Sequence, residues 1–185
     1  MASAIRRTWL VALVWLAGSL LGGCAAQQTE SSAGVRDRIN RLLLGSWSGT
    51  LEYRDYSSDA RVVLPTELAV VQVGDTLQMN YTYHDGPGKT VTSTQQVTID
   101  PAAGLLVEES TEGERHEYKA SGLRELARDG EGAVILTRPG VENDKPVEMR
   151  TEFVLSGSRW TMTKQTRPAG GTFAFRNRYS FTRKK

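Results

Sequence analysis

After Gly45, apolar and polar side chains alternate along most of the chain, and a period of two is typical of β-strands with one buried face. The clearest example is 76–84, where Leu77, Met79, Tyr81 and Tyr83 alternate with polar residues. About ten such runs follow one another, separated by short turns rich in glycine, proline and aspartate. Their predicted ranges are 46–56, 61–73, 76–84, 90–100, 104–110, 114–121, 132–138, 146–156, 158–166 and 172–183. The pattern predicts one all-β domain with an antiparallel sheet.

Two segments depart from this alternation. Val35, Ile39, Leu42 and Leu43 recur at helical spacing, which predicts a short N-terminal helix that ends at Gly45. The segment 123–127 fits either a helical turn or a strand continuation, and the sequence leaves both open. Elsewhere after the N-terminal helix the strand pattern dominates.

A sheet of about ten strands would expose unpaired edges unless it closed into an up-and-down barrel or split into a two-sheet sandwich. Gly45-Ser46-Trp47, just after the predicted helix, resembles the G-x-W motif that opens the first strand of lipocalins and their calycin relatives. The resemblance implies a lipocalin-like barrel in which Trp47 closes one end and a basic side chain of the last strand packs across it. Three arginines of 172–183 are candidates, and we predict Arg178 over Arg176 and Arg183. The other motifs of classical lipocalins are missing, which favours a more distant member.

The N-terminus has the composition of a secretory signal. Arg6 and Arg7 precede an apolar run from Trp9 to Leu21, whose 13 residues are too few to span a bilayer as a helix. Leu21-Gly22-Gly23-Cys24 follows the run and resembles the bacterial lipobox. The resemblance implies cleavage before Cys24, acylation of its thiol, and a membrane partner bound through the N-terminal lipid.

The predicted organisation is therefore a lipoprotein signal peptide at 1–23, a lipidated flexible tether at 24–35 and a lipocalin-like β-barrel domain at 36–185. In Gram-negative lipoproteins an aspartate after the cysteine favours retention in the inner membrane. Ala25 occupies that position here. For a Gram-negative source we therefore expect a lipid-anchored protein of the cell envelope that faces the periplasm, with the outer membrane favoured over the inner.

Charge and cysteine content narrow the function. The chain has 23 Lys+Arg and 21 Asp+Glu, and loss of Arg6 and Arg7 with the signal leaves 21 of each, so nucleic acid is not an expected partner. The only cysteine is Cys24, so the domain has no disulfide. His84 and His116 lack the spacing of metal ligands, and we expect no metal and no cofactor.

The sequence shows no set of residues typical of an enzyme. Gly45–Gly49 has tryptophan at the centre of what would otherwise look like a nucleophile elbow. Glu108 and Glu109 are adjacent in a predicted strand and point to opposite faces, so they do not form a carboxylate pair. We therefore expect a non-enzymatic protein.

Two hypotheses remain, and both place the protein in the envelope. In the first, the barrel binds a small, largely apolar ligand. In the second, the core is filled and the protein has a structural role or binds an envelope protein through its outer surface. The size of the internal cavity distinguishes the two hypotheses. The candidate ligand-binding residues share the predicted inward face and are aromatic or polar: Tyr81, Tyr83, His116, Tyr118, Phe153, Trp160, Lys164 and Asn177.

Overall fold

The structure is a computed structural model that describes residues 30–55, 58 and 60–185. These residues form a closed ten-stranded antiparallel β-barrel with two short helices, which confirms the predicted all-β barrel. In chain order the elements are α1 (Ser32–Leu43), β1 (Gly45–Arg54), β2 (Arg61–Val73), β3 (Thr76–His84), β4 (Thr90–Asp100), β5 (Leu105–Ser110), β6 (Arg115–Ser121), α2 (Leu123–Asp129), β7 (Gly132–Glu142), β8 (Lys145–Ser156), β9 (Arg159–Pro168) and β10 (Ala174–Arg183).

The strands follow an up-and-down order. Each strand pairs with its neighbours in sequence, and β1 also pairs with β10, which closes the barrel. In this closing pair Trp47 lies opposite Arg183 and Leu51 lies opposite Tyr179. The sheet therefore forms a barrel and not a sandwich, and closure pairs both edges of the sheet.

The alternation in the sequence corresponds to the inner and outer faces of the wall. On β3, Leu77, Met79 and Tyr81 are buried, while the residues between them are less so. The predicted strand ranges agree closely with the structure except in β7, which was predicted to end at 138. β7 continues to Glu142, and the turn is Asn143–Asp144, with φ of 50° and 59°. Two successive positive φ angles suit a two-residue hairpin turn.

Both helices cover the same end of the barrel. Ser31 caps α1, because its side-chain oxygen accepts a hydrogen bond from the Gly34 amide at 3.2 Å. Val35 and Ile39 of α1 are buried, in agreement with the predicted helical face. The segment 123–127, which the sequence left open, is helical and forms most of α2. Its apolar side chains Leu123, Leu126 and Ala127 are buried against the same core.

The inner face of β10 changes at a β-bulge between Phe175 and Asn177. Uninterrupted alternation from Asn177 would place Phe175 inside the barrel, and the bulge places it outside. The Phe175 ring lies 4.8 Å from the guanidinium carbon of Arg61, on the outer side of the wall. The extra residue turns Arg176 inward, next to Asn177.

The predicted signal peptide, with Leu21–Cys24, and the first half of the predicted tether, 24–29, lie outside the described residues. The second half includes Ser31, which caps α1, and the start of α1 at Ser32, so the tether was predicted to extend too far. Within the described part, neither helix has the length and apolar character needed to cross a membrane.

Candidate functional site

One end of the barrel is closed by Trp47, which is 0% exposed. Its indole Nε1 donates a hydrogen bond to the Leu43 carbonyl at 3.0 Å. The guanidinium carbon of Arg183 lies 4.1 Å from the centroid of the Trp47 ring. Arg183 also donates hydrogen bonds to the carbonyl oxygens of Leu42 and Leu44, at the C-terminal end of α1. The arginine therefore satisfies carbonyls that the helix leaves unpaired, and it adds a cation–π contact to the closure.

The predicted partner of Trp47 was wrong. Arg178 is exposed on the outer wall, where its Nε donates to Thr163 Oγ1 at 3.2 Å. The register explains the correction, since Arg183 lies directly opposite Trp47, whereas Arg178 lies opposite Glu52. Trp47 lies where the resemblance placed it, and the basic side chain across it comes from the end of β10.

Above this closed end lies a small apolar chamber of about 40 Å³. Phe153 and Trp160, both predicted ligand-binding residues, line it. Trp160 is 1% exposed and packs edge-on against Trp47, with ring centroids 5.5 Å apart. A water molecule needs about 10–15 Å³ measured with a water-sized probe. The chamber therefore has room for a few atoms and not for a large apolar molecule.

A more polar chamber of about 160 Å³ continues toward the other end of the barrel. Tyr81, Glu108 and Met162 line both chambers, so the two spaces meet at these side chains. Its lining comes from seven strands: Tyr81, Gln95, Glu108, Tyr118, Thr151, Met162, Lys164, Asn177 and Tyr179. The structure thus brings together four of the predicted residues, namely Tyr81, Tyr118, Lys164 and Asn177.

A hydrogen-bonded pair on β5 and β6 lies in the polar chamber. Tyr118 Oη donates to Glu108 Oε2 at 2.9 Å, and the Arg138 guanidinium carbon lies 5.4 Å from the centroid of the Tyr118 ring. Burial, with the charge of Glu108 second, raises the pKa of Tyr118 to about 12, so the phenol keeps its proton at neutral pH. Arg138 Nε is buried without a hydrogen-bond partner among the described residues.

Lys164 of β9 is the lysine of this chamber. It is half-buried, and no hydrogen bond or close ion pair joins its amine to another group in the described part of the chain. Burial lowers the pKa of Lys164, and the positive charge of Arg138 lowers it further. The charges of Glu108, Glu142 and Glu114 act in the opposite direction but do not restore the pKa. The amine is therefore desolvated and available to a bound molecule.

The polar chamber opens into a mouth of about 350 Å³, with Lys164 and Asn177 at the shared boundary. In the mouth, Arg176 donates hydrogen bonds to Glu142 and, at 2.7 Å, to Thr166 Oγ1. Thr166 Oγ1 in turn donates to Glu142 Oε2 at 3.0 Å. The charged groups of the mouth thus already have hydrogen-bond partners. Lys164, deeper in the barrel, has none among the described residues.

Two predicted residues lie at the edge of the site. Tyr83 Oη is 3.0 Å from Tyr179 Oη, and burial raises the pKa of both phenols. His116 does not line a chamber: its Nε2 lies 3.9 Å from a carboxylate oxygen of the exposed Glu114, and its ring meets the edge of Tyr118.

Sequence reasoning missed several polar residues of the interior. Glu108 alternates with the apolar Leu106, so the period of two was sufficient to place it inside. Arg138 follows Val134 and Leu136 in the same alternation. Arg176 gave no such signal, because the β-bulge reverses the pattern at that point.

Comparison with known proteins supports the fold. No family model matches the chain, and a search of curated proteins found no match. Rv2717c from M. tuberculosis is similar in structure, with a TM-score of 0.55 and 17% identity over 81% of this chain and 98% of that one. The S-type phycobiliprotein lyase CPES from Guillardia theta is also similar, with a TM-score of 0.54 and 11% identity over 80% of this chain and 92% of that one. At these identities the likeness shows the fold alone, a lipocalin-like barrel.

Proposed function

We propose that this chain is an envelope-anchored lipoprotein whose barrel binds a small ligand with an anionic group and a short apolar part. The observation that carries the proposal is Lys164, a cationic side chain without a hydrogen-bonded partner in a chamber that opens to the mouth. Buried charges are normally paired. A ligand carboxylate would supply the partner that the described residues do not.

The hydrogen bonds of the neighbouring carboxylates favour an anionic ligand at Lys164. Lys164 and Arg138 face one carboxylate, Glu108, which already accepts a hydrogen bond from Tyr118. Glu142 of the mouth is bonded to Arg176 and Thr166. Glu108, Glu142 and Glu114 act on the Lys164 amine through their charges without a hydrogen bond to it, so an anionic group placed there would gain charge-assisted hydrogen bonds.

The sizes of the chambers narrow the predicted ligand. The sequence suggested a largely apolar molecule, but the apolar chamber measures about 40 Å³ against about 160 Å³ for the polar one. A ligand that places its polar group near Lys164 and a short apolar end toward Met162 fits both spaces. The alternative hypothesis is a filled core with a structural or protein-binding role. It does not explain why the barrel contains a polar chamber of about 160 Å³.

The anchor and the location rest on the sequence. Leu21–Cys24, behind an apolar run, supports acylation of Cys24. Ala25, in place of an aspartate, supports location in the outer membrane if the source is Gram-negative. One of the similar structures is a lyase, so the expectation that this chain has no enzymatic activity lacks support from the comparisons.

Binding of trans-cinnamate tests the proposed function. The full chain in lipid nanodiscs is titrated with cinnamate and with cinnamyl alcohol, which has the same skeleton without the charge. Tryptophan fluorescence reports binding, because Trp160 lines the adjoining apolar chamber. We expect cinnamate to bind more tightly and to raise the melting temperature.

The variant Lys164→Met is expected to weaken cinnamate binding about tenfold to a hundredfold, as for loss of a charged hydrogen bond worth about 1.5–3 kcal/mol. Lys119→Met is the matched control, because Lys119 is exposed on the outer wall. Equal affinity of the alcohol and the acid, or no effect of Lys164→Met, would contradict the proposed site. Absence of binding by either compound would favour the structural or protein-interaction role.

A further inference from the structure

Lys164 differs from every other lysine of the chain. The sequence contains six lysines, all within the described residues, and the other five are exposed: Lys89, Lys119, Lys145, Lys184 and Lys185. Only Lys164 lies inside the barrel, at the boundary between the polar chamber and the mouth. A reagent that enters the barrel therefore meets a single primary amine.

The surroundings of Lys164 suit a nucleophilic amine. A lysine becomes nucleophilic when its environment is desolvated or when another cation lies near it. Both conditions hold here, because Lys164 is half-buried and Arg138 is close enough to act on its charge. Glu108 lines the same chamber and offers a carboxylate that can accept or return a proton.

We propose that Lys164 condenses reversibly with an aldehyde or ketone group of a ligand in this chamber to form an imine. The inference rests on the proposed function, since it uses the same chamber, and it narrows the ligand to a carbonyl compound. It also gives the desolvated amine a chemical role beyond that of a counter-charge.

The chemistry needs no oxidant or reductant. The lone pair of the neutral amine attacks the carbonyl carbon, a C–N bond forms as the C=O π bond breaks, and the carbonyl oxygen takes up a proton from solvent to give a carbinolamine. The nitrogen lone pair then expels that oxygen as water, which leaves a protonated C=N bond. Glu108 can accept the proton that the nitrogen loses in the first step and return it to the departing hydroxyl. Addition of water reverses the sequence.

Reductive trapping tests the proposal. The full chain in nanodiscs is mixed with trans-cinnamaldehyde, reduced with borohydride, and examined by intact mass and peptide mapping. We expect one adduct per chain, on Lys164. At neutral pH the neutral fraction of an amine rises about tenfold for each unit by which its pKa is lowered, so Lys164 is expected to label well before the exposed lysines.

The variant Lys164→Arg is the matched control, because it keeps the positive charge and cannot form an imine. We expect Lys164→Arg to lose the adduct, while Lys119→Arg keeps it. The mapped position in the unaltered chain decides the question even when a variant folds poorly. An adduct spread over the exposed lysines, with Lys164 unlabelled, would overturn the inference.

The two proposals fail in different ways. Lysine-dependent binding of cinnamate without a Lys164 adduct from cinnamaldehyde would reject the imine and leave the anion site intact. A Lys164 adduct without binding of cinnamate would support the imine and reject the anionic ligand. Neither binding nor an adduct would reject both.

Discussion

The guanidinium carbon of Arg183, the last residue of β10, lies 4.1 Å from the ring centroid of Trp47 near the start of β1. This contact joins the first and last strands of the barrel. Arg183 also donates to the carbonyls of Leu42 and Leu44, so the same side chain holds α1 over the closed end. One pair of residues therefore contributes both to the β1–β10 closure and to the placement of the helix.

Replacing either member of this pair is expected to destabilise the barrel. Trp47→Ala removes a fully buried ring, which typically costs about 3–5 kcal/mol. Arg183→Met removes the cation–π contact and leaves helix carbonyls without their donor, for which we expect about 1–3 kcal/mol. Urea unfolding followed by circular dichroism measures both. Arg178→Met is the control and should change stability by less than about 0.5 kcal/mol. If Arg178→Met lowered the free energy of unfolding as much as Arg183→Met, Arg183 would not be the arginine that stabilises the closed end.

Most of the barrel could be predicted because strand periodicity is a local property. In 76–84 the apolar side chains sit at every second position, and this alone identifies the buried face of β3. The closure of one end by Trp47 was predicted from the resemblance of Gly45-Ser46-Trp47 to the G-x-W motif of lipocalins. The segment 123–127 was ambiguous, because a single turn has too few residues to separate the two periods.

The features that sequence reasoning missed depend on the register between distant strands. Arg178 was wrongly predicted in place of Arg183, because the pairing of β10 with β1 decides which arginine faces Trp47. Arg176 turns inward only because of a bulge, and a bulge has no simple sequence signal here. Lys164 was identified by parity, but the lack of a hydrogen-bonded partner became visible only in three dimensions.

Gly49 marks a close approach of the two closing strands. A methyl group at Gly49 would overlap the backbone carbonyl of Ser180 on β10, so Gly49→Ala must push the strands apart. We expect a cost of about 1–3 kcal/mol, as for other overpacked sites. Ser48→Ala is the control, since Ser48 is exposed one position away. If Gly49→Ala melts at the temperature of the unaltered chain, β10 can move without cost and the seam is looser than the structure implies.

The anchor gives a prediction that does not depend on the barrel. Cys24→Ser removes the thiol that the lipobox resemblance assigns to acylation. We expect loss of label from a palmitate analogue and accumulation of an unprocessed or mislocalised precursor. Ser19→Ala, within the predicted signal, should leave labelling unchanged. Equal labelling of the Cys24→Ser chain would reject the lipoprotein assignment.

The buried tyrosines predict the behaviour of the protein at alkaline pH. Burial raises the pKa of Tyr81 and Tyr179 strongly and that of Tyr118 to about 12. Because the folded pKa lies above the unfolded value of about 10, their contribution to stability is complete below about pH 10 and is lost as pH rises further. We expect most tyrosinate absorbance to appear together with loss of the β signal in circular dichroism. Ionisation of these phenols in an intact barrel would contradict their burial.

Lys164 is expected to cost stability at neutral pH. Its lowered pKa means that burial, followed by repulsion from Arg138, outweighs the attraction of Glu108, Glu142 and Glu114. Lys164→Met removes the buried charge, so we expect the free energy of unfolding to rise by about 0.5–2 kcal/mol at about pH 7, the range of single stabilising substitutions. Urea unfolding of the two chains measures the difference. A less stable Lys164→Met chain would show that the ammonium is well solvated or paired.

The pH dependence of this gain separates charge from packing. Between the lowered folded pKa of Lys164 and its ordinary value of about 10.5, the unfolded chain binds a proton that the folded chain has lost. The stability of the unaltered chain attributable to Lys164 therefore rises with pH in this window, and the advantage of Lys164→Met should shrink toward about pH 10. The tyrosines titrate in both chains and cancel in the difference. Lys119→Met, on the outer wall, should show no such trend. If Lys164→Met gains the same stability at every pH in this window, the gain comes from packing and not from removal of a buried charge. The charge of the amine would then give no support to the proposed ligand site.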